Sequence, residues 1–247
     1  MICDDSAVIR GGVARILETD PEVRVVERVA NGQQALDVLR RPSAERIDVI
    51  VLDIEMPVMD GMTALPLLLR AAPGVRVIMA STLTTRGAEI AMRALSLGAS
   101  DYVPKPSTAA IADDSFRTEL LAKVKGFARL RQRAVLPAAP APTTPAPAIA
   151  LRPPPRQPPL LLAVGSSTGG PQALFTLVQG LGKTLPVPVI ITQHMPAKFT
   201  KAFADRLQRT SPWTVREAEP GDSVLAGVAL VAPGSHSLTL RRDGAQL

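Results

Sequence analysis

Short apolar runs alternate with amphipathic segments along most of this 247-residue chain. In its first half, strands are predicted over Val23–Val29, Val49–Leu52 and Val75–Met79. The last two runs are apolar throughout, which is typical of strands in a sheet covered on both faces. The amphipathic segments predict helices over Ala7–Thr19, Gln33–Leu39, Met62–Arg70, Ala88–Leu97 and Ser115–Arg131. Repeated β–α units of this size predict an α/β fold with a doubly wound parallel sheet.

A proline-rich stretch divides the chain. Residues 137–159 contain ten prolines, which prevent a continuing helix or sheet and favour semi-rigid polyproline II. Beyond it the alternation resumes, with predicted strands at Leu160–Val164 and Pro188–Thr192, helices at Gly170–Gln179 and Lys198–Arg209, and a β segment from Val215 onward. We therefore predict two doubly wound α/β domains, residues 1–133 and 160–247, joined by a linker over residues 134–159.

Both ends of the sequence are predicted to be cut. Only Met1–Cys3 precede the acidic pair Asp4–Asp5, which is short for a first strand. At the other end, Asp243–Gly244 predicts a hairpin turn whose returning strand stops after three residues. The sequence is therefore expected to be a fragment whose second domain is incomplete.

Composition and charge narrow the class of protein. One cysteine, Cys3, excludes an internal disulfide and cysteine-rich metal sites. The start has no signal-peptide layout and no apolar run reaches membrane-spanning length, so we expect a cytoplasmic protein without membrane insertion. The net charge of +6 comes mostly from residues 134–247, with 10 Lys and Arg against 5 Asp and Glu. Aromatic residues make up only 3% and no dense basic stripe occurs, so a diffuse basic surface that attracts an acidic protein partner fits the charge as well as nucleic acid does.

Acidic residues cluster at predicted strand ends in the first domain. Asp4 and Asp5 follow the first strand, and Asp53 ends VIVLD, so all three lie at the carboxyl edge where ligands bind. At about 5 Å and an effective dielectric of about 20, each ionised pair costs roughly 3 kcal/mol. A hard cation such as Mg²⁺ relieves this repulsion. Ser81, at the end of VIMAS, and Lys105, in DYVPKP, could bind a phosphoryl group there.

DDS, LDIEMPVMDG, the Ser81–Thr82 pair and Lys105–Pro106 together resemble a flavodoxin-like two-component receiver domain. The resemblance covers nearly all of residues 1–133 and implies that Asp53 takes a phosphoryl group from a histidine kinase. It further implies direct Mg²⁺ binding by Asp5, support through water by Asp4, and a backbone carbonyl ligand from Glu55. Ser81 becomes the switch hydroxyl, Lys105 the phosphoryl counter-ion, and Tyr102 the aromatic residue whose burial reports the switch.

A second cluster is the serine turn, GSSTGG at residues 165–170, which lies between a strand and a helix. A P-loop would end in Lys-Ser/Thr, and a dinucleotide fingerprint would space its glycines differently. A bare turn explains the glycines but not three hydroxyl residues. A turn that presents a nucleophilic serine explains both, because a serine at a strand-to-helix turn is exposed beside helix N–H groups. Such a serine needs a base, and His194, after the strand VIITQ, is a stronger candidate than His236.

GSSTGG followed by ITQHMP and VAPG resembles the catalytic domain of the chemotaxis protein-glutamate methylesterases, Rossmann-like in fold. The resemblance implies that Ser167 attacks a glutamate methyl ester of a chemoreceptor and that His194 is its base, with no cofactor. Ser166 stands where the motif often has alanine. The family also deamidates receptor glutamines.

One member of the implied catalytic triad has no match. The orienting aspartate of the family lies in a glycine-rich Asp-Gly motif beyond this sequence, so Asp205, Asp222 and Asp243 are given no role. An alternative class therefore stays open, a non-enzymatic signalling protein whose receiver is joined to an inert second module. A DNA-binding regulator is disfavoured because no helix-turn-helix pattern follows the linker.

Overall fold

The computed structural model describes residues 1–41, 45–105, 114–135, 159–181 and 186–241. Most of the predicted linker and the predicted turn at Asp243–Gly244 lie outside these residues. No helix in the described part of the chain is both long and apolar enough to cross a membrane.

In the first domain strands and helices alternate along the chain. Their order is β1 (Ile2–Cys3), α1 (Ala7–Leu17), β2 (Arg28–Val29), α2 (Gly32–Arg40), β3 (Val49–Asp53), α3 (Gly61–Ala71), β4 (Arg76–Ser81), α4 (Thr85–Ser96), β5 (Asp101–Pro104) and α5 (Asp114–Val135). The strands form one parallel sheet in the order β2-β1-β3-β4-β5, which confirms the predicted doubly wound architecture.

The strand predicted over Val23–Val29 is wrong in its length, because only Arg28–Val29 are in β2. This edge strand pairs with β1, which offers only Ile2 and Cys3 as partners. Glu27 still accepts a hydrogen bond from the N–H of Ile2, but among the described residues no strand pairs with residues 23–26, and β-propensity alone does not make a strand.

The centre of the first sheet is apolar on both faces. All five residues of β3 are buried, and Ile50 and Leu52 pair in register with Val77 and Met79 of β4. The helices that cover the sheet begin at polar residues that cap them. Each of these side chains accepts a hydrogen bond from a backbone N–H in the first turn, and they are Ser6, Asn31, Asp60 and Thr84. Such a cap contributes about 1 kcal/mol to stability.

The second domain has the same alternation. Its elements are β6 (Leu162–Ser166), α6 (Gly170–Gly180), β7 (Val189–Gln193), α7 (Ala197–Thr210), β8 (Thr214–Glu217) and β9 (Val228–Val231). The described strands form a parallel sheet in the order β6-β7-β9-β8, again as predicted for the fold class.

The glycine-punctuated β segment predicted from Val215 onward is present in the structure. It is two parallel strands separated by a loop in which Gly221 and Gly227 have positive φ angles of 89° and 79°. Residues 237–241, the described part of the predicted hairpin, are not a strand. The sheet is parallel here because the connection between β8 and β9 returns the chain to the same end.

Candidate functional site

The three acidic residues meet at the carboxyl edge of the first sheet. One carboxylate oxygen from each of Asp4, Asp5 and Asp53 lies within 4.8 Å of the others, with Asp4 and Asp53 buried and Asp5 exposed. The loop after β3 closes tightly over this pocket, because a Cβ on Gly61 would lie 2.0 Å from the carbonyl oxygen of Asp53. A glycine is therefore required at that position. The set of oxygen donors fits a hard divalent cation.

Lys105 supplies a positive charge to this pocket. Its Nζ lies 2.6 Å from Asp53 Oδ2 and 3.3 Å from Asp4 Oδ2. The parallel register of β4 and β5 brings it there, since its backbone N–H donates to the carbonyl of Ser81 at 2.6 Å. One ammonium faces three carboxylates, so the pocket keeps an excess of negative charge.

Ser81 and Glu55 border the same pocket. Ser81 is buried and its Oγ donates to the carbonyl oxygen of Gly87 at 2.8 Å. Glu55 is exposed and lines a shallow depression together with Asp53, Ser81 and Lys105. The residues predicted for the acidic pocket are thus brought together. Tyr102 is the exception, since it does not line this pocket.

Burial raises the pKa of Asp53 to about 6, with a further contribution from the charge of Asp4, and the hydrogen bond from Lys105 offsets only part of this. At pH values between the ordinary pKa of an aspartate and about 6, the folded protein binds more protons at Asp53 than the unfolded chain does. Stability therefore falls as pH rises through this window.

We expect Asp53→Asn to stabilise the cation-free protein at pH 7. The asparagine removes an ionised, buried carboxylate whose raised pKa corresponds to about 3 kcal/mol. In buffer with a chelator, thermal unfolding should show a higher midpoint for the variant at pH 7, and the difference should shrink towards pH 4. A difference that is the same at both pH values would show that the Asp53 charge is not its cause.

The serine turn lies at the carboxyl edge of the second sheet. β6 ends at Ser166, after which Ser167 and Thr168 are exposed, and Gly169 precedes α6 as its N-cap residue with a φ of 72°. In the register of β6 and β7, Ser166 pairs with Gln193, and the N–H of His194 donates to the carbonyl of Ser166 at 2.9 Å. Ser167 and His194 therefore each come directly after one member of this residue pair, at the ends of two adjacent strands. Both are exposed.

The other candidate side chains of this domain are engaged elsewhere. Nδ1 of His236 lies 3.0 Å from the carbonyl oxygen of Gly234. Asp222 forms an ion pair with Arg216, and Asp205 is exposed on α7. None of the three contacts Ser167 or His194 through a hydrogen bond among the described residues.

The first domain packs directly on the serine turn. The amino end of α6 has no side-chain cap of its own, and the N–H of Gly169 donates instead to Asp101 Oδ2 of β5 at 3.0 Å. One turn further along α6, Nε2 of Gln172 donates to the carbonyl of Ala99 at 2.8 Å and also to that of Leu95. The face formed by the end of α4 and by β5 is thus joined to the residues beside Ser167.

Tyr102 belongs to this contact. Its ring stacks on Phe199 of α7 with centroids 4.6 Å apart and an interplanar angle of 6°, and both residues are buried. Its burial is therefore already complete in this structure, against the second domain. Neither Asp101 nor Gln172 was predicted from the sequence, because an acidic residue before an aromatic one and a glutamine on a helix carry no distinctive signal.

Comparison with known proteins supports two assignments. The model of the response regulator receiver domain family matches residues 1–113, and that of the CheB methylesterase family matches residues 162–247. A protein-glutamate methylesterase/protein-glutamine glutaminase from Paramagnetospirillum magneticum is 44% identical over 99% of this chain and 69% of its own length. One from Azospirillum brasilense is 48% identical over 100% of this chain and 67% of its own length.

Two solved structures from Thermotoga maritima are also similar. The response regulator domain of its CheB is 36% identical, with a TM-score of 0.43, over 52% of this chain and 93% of that domain. The catalytic domain of CheB methylesterase is 43% identical, with a TM-score of 0.34. That second match covers 35% of this chain and 46% of the Thermotoga domain.

Proposed function

The chain belongs to the family of receiver-containing chemotaxis protein-glutamate methylesterases, and from this premise we propose how its own residues carry out and regulate the reaction. The protein hydrolyses glutamate methyl esters on chemoreceptors and deamidates receptor glutamines. We propose residues 1–133 as the receiver domain, residues 134–159 as the linker, and residues 160–247 as part of the methylesterase domain.

The observation that carries this proposal is the placement of Ser167 and His194. Both follow parallel, hydrogen-bonded strands at one sheet edge, and both side chains are exposed. The amino end of α6 lies beside Ser167, but its first N–H groups are occupied, that of Gly169 by Asp101 and that of Gly170 by the carbonyl of Ser167. Release of the receiver would free the N–H of Gly169, which could then stabilise an anion that develops on a carbonyl oxygen.

The proposed reaction uses these two side chains and water. Ser167 Oγ attacks the carbonyl carbon of the ester while His194 takes the hydroxyl proton. The bond from this carbon to the methoxy oxygen then breaks, and methanol leaves with the proton from His194. Water, activated by His194, attacks the acyl carbon and releases the glutamate carboxylate and free Ser167. With a glutamine substrate the leaving group is ammonia.

We propose Asp53 as the site of phosphorylation by a histidine kinase. A carboxylate oxygen of Asp53 bonds to phosphorus as the phosphorus–nitrogen bond of the phosphohistidine breaks. Mg²⁺, when bound, supplies positive charge that offsets the carboxylates and the phosphoryl oxygens. Asp5 and Asp53 would hold it directly, Asp4 through water, and Glu55 through its backbone carbonyl. Their clustering within one pocket supports this set.

Lys105 and Ser81 are placed to respond to the phosphoryl group. Lys105 already contacts Asp53 and needs only a small movement to pair with a phosphoryl oxygen. Ser81 must give up its bond to the carbonyl of Gly87, near the start of α4, in order to donate to the phosphoryl group. Phosphorylation would therefore shift α4. The carboxyl end of this helix accepts a hydrogen bond from Gln172 of α6 through the carbonyl of Leu95.

This coupling suggests how the enzyme is regulated. In the docked arrangement the receiver lies against the serine turn through Asp101 and against α7 through Tyr102. A receptor substrate needs that space, so the docked receiver excludes it. We propose that the unphosphorylated receiver inhibits the esterase and that phosphorylation of Asp53 releases the contact.

The phosphorylation site can be tested directly. With Mg²⁺ and a small phosphodonor, the parent protein should be labelled at Asp53 and Asp53→Asn should abolish the label, because the amide cannot form the acyl phosphate. The matched control is Asp60→Asn, since Asp60 is exposed on the same loop and asparagine keeps its helix-capping role. Undiminished labelling of Asp53→Asn would place the site elsewhere.

A further inference from the structure

A buried carboxamide lies between the proposed nucleophile and its base. Gln193 is the last residue of β7 and is only 5% exposed, although it stands between the exposed Ser167 and His194. An amide taken out of water is costly unless its polar atoms find partners. The hydrogen-bond partners of Gln193 therefore indicate what its side chain does in the site.

Both polar atoms of the Gln193 side chain are hydrogen-bonded to residues of the proposed active site. Its Nε2 donates to the carbonyl oxygen of Ser167 at 3.0 Å and to that of His194 at 3.2 Å. Its Oε1 accepts from the hydroxyl of Ser166 at 2.6 Å. Two carbonyl acceptors on one side fix the orientation of the amide, because only its NH₂ group can satisfy both.

The surrounding chain is shaped to admit this side chain. A Cβ on Gly170 would lie 2.1 Å from Oε1 of Gln193 and 2.9 Å from Oγ of Ser166. Only glycine leaves room for the amide under the first turn of α6. The last glycine of the GSSTGG sequence, Gly170, thus leaves the space that the side chain of Gln193 occupies.

We propose that Gln193 is a positioning residue for ester hydrolysis. Its carboxamide ties the backbone of Ser167 to that of His194, and Ser166 holds the amide in the required orientation. This inference rests on the proposed function, since it takes Ser167 and His194 as nucleophile and base. Gln193 does not contact the reacting atoms itself, and it acts by fixing the separation of two groups that follow different strands.

The expected consequence is a loss of turnover. A displacement of about 1 Å between reacting groups can cost on the order of 10²-fold in rate. Glutamate is isosteric with Gln193 and, when ionised, donates to neither carbonyl. In the protein expressed from its complete gene, Gln193→Glu should therefore lower kcat by on the order of 10²-fold and leave KM for a methylated receptor nearly unchanged.

A pH profile separates positioning from general destabilisation. A protonated glutamic acid regains one donor, so the ratio of variant to parent kcat should rise as pH falls from 8 towards 5. The matched control is Gln208→Glu, because Gln208 also bridges backbone groups, donating to Trp213 and accepting from Val215, but outside the site. Its kcat should stay within about twofold of the parent once folded protein is counted.

The kcat values of the two variants decide the proposal. It is overturned if Gln193→Glu keeps kcat within twofold of the parent, or if Gln208→Glu lowers kcat equally. If the parent hydrolyses no methyl ester, the proposed function fails separately, and labelling of Ser167 by a fluorophosphonate decides the positioning role. Labelling that is fast in the parent and slow in Gln193→Glu supports the role, and labelling that is equal in both, or absent from both, overturns it.

Discussion

Ser167→Ala should reduce kcat for methyl-ester hydrolysis by on the order of 10⁶-fold in the protein expressed from its complete gene. The reason is that alanine has no hydroxyl oxygen with which to form the acyl-enzyme. Binding of the receptor should persist, because the alanine removes only the attacking atom. The measurement is the release of methanol from a methylated receptor, normalised to folded protein.

Ser166→Ala is the matched control for this substitution. Ser166 points into the domain, where its hydroxyl donates to Gln193, and so it cannot reach a substrate. Its loss leaves Oε1 of Gln193 unpaired but keeps both hydrogen bonds from Nε2, so we expect kcat within about tenfold of the parent. If the two serine variants had reversed effects, the nucleophile would be Ser166 and the assignment of Ser167 would be wrong.

Gln172→Ala should raise the basal activity of the unphosphorylated enzyme. The substitution removes two hydrogen bonds that join α6 to the carbonyls of Leu95 and Ala99. At about 1 kcal/mol each, their loss shifts the docking equilibrium by roughly thirtyfold towards the open form. The basal rate of hydrolysis should rise by up to that factor. The further increase in rate on phosphorylation should then be correspondingly smaller than in the parent.

The control for this contact is Gln179→Ala, which changes an exposed residue on the same helix. It should leave both basal activity and the response to phosphorylation as they are in the parent. A complementary variant that lacks residues 1–133 should also have higher basal activity than the unphosphorylated parent. If both Gln172→Ala and this deletion left basal activity unchanged or lower, inhibition by the docked receiver would be excluded in favour of direct activation.

The central strands could be predicted from the sequence because they are buried on both faces. β3 and β4 are runs without a polar interior position, and no other pattern competes with a strand there. By contrast, β5 was not predicted, since its first two residues are Asp101 and Tyr102. Their partners, Gly169 and Phe199, come from the other domain, and a local pattern carries no information about them.

The candidate sites divide in the same way. Ser167 and His194 could be predicted to meet because both follow strands of one parallel sheet, and topology brings such positions to one edge. Gln193 could not, because its partners are backbone carbonyls, which every residue has. The stacking of Tyr102 on Phe199 was likewise beyond prediction, since the two rings come from different domains.

We expect phosphorylation of Asp53 in this protein to control ester hydrolysis at Ser167. The measurement that tests it most directly is the rate of methanol release from a methylated chemoreceptor, with and without a small phosphodonor and Mg²⁺. We expect a low rate without the phosphodonor, a higher rate with it, and no increase in Asp53→Asn. Such coupling would be excluded if no methanol were released in either condition, or if Asp53→Asn responded to the phosphodonor as the parent does.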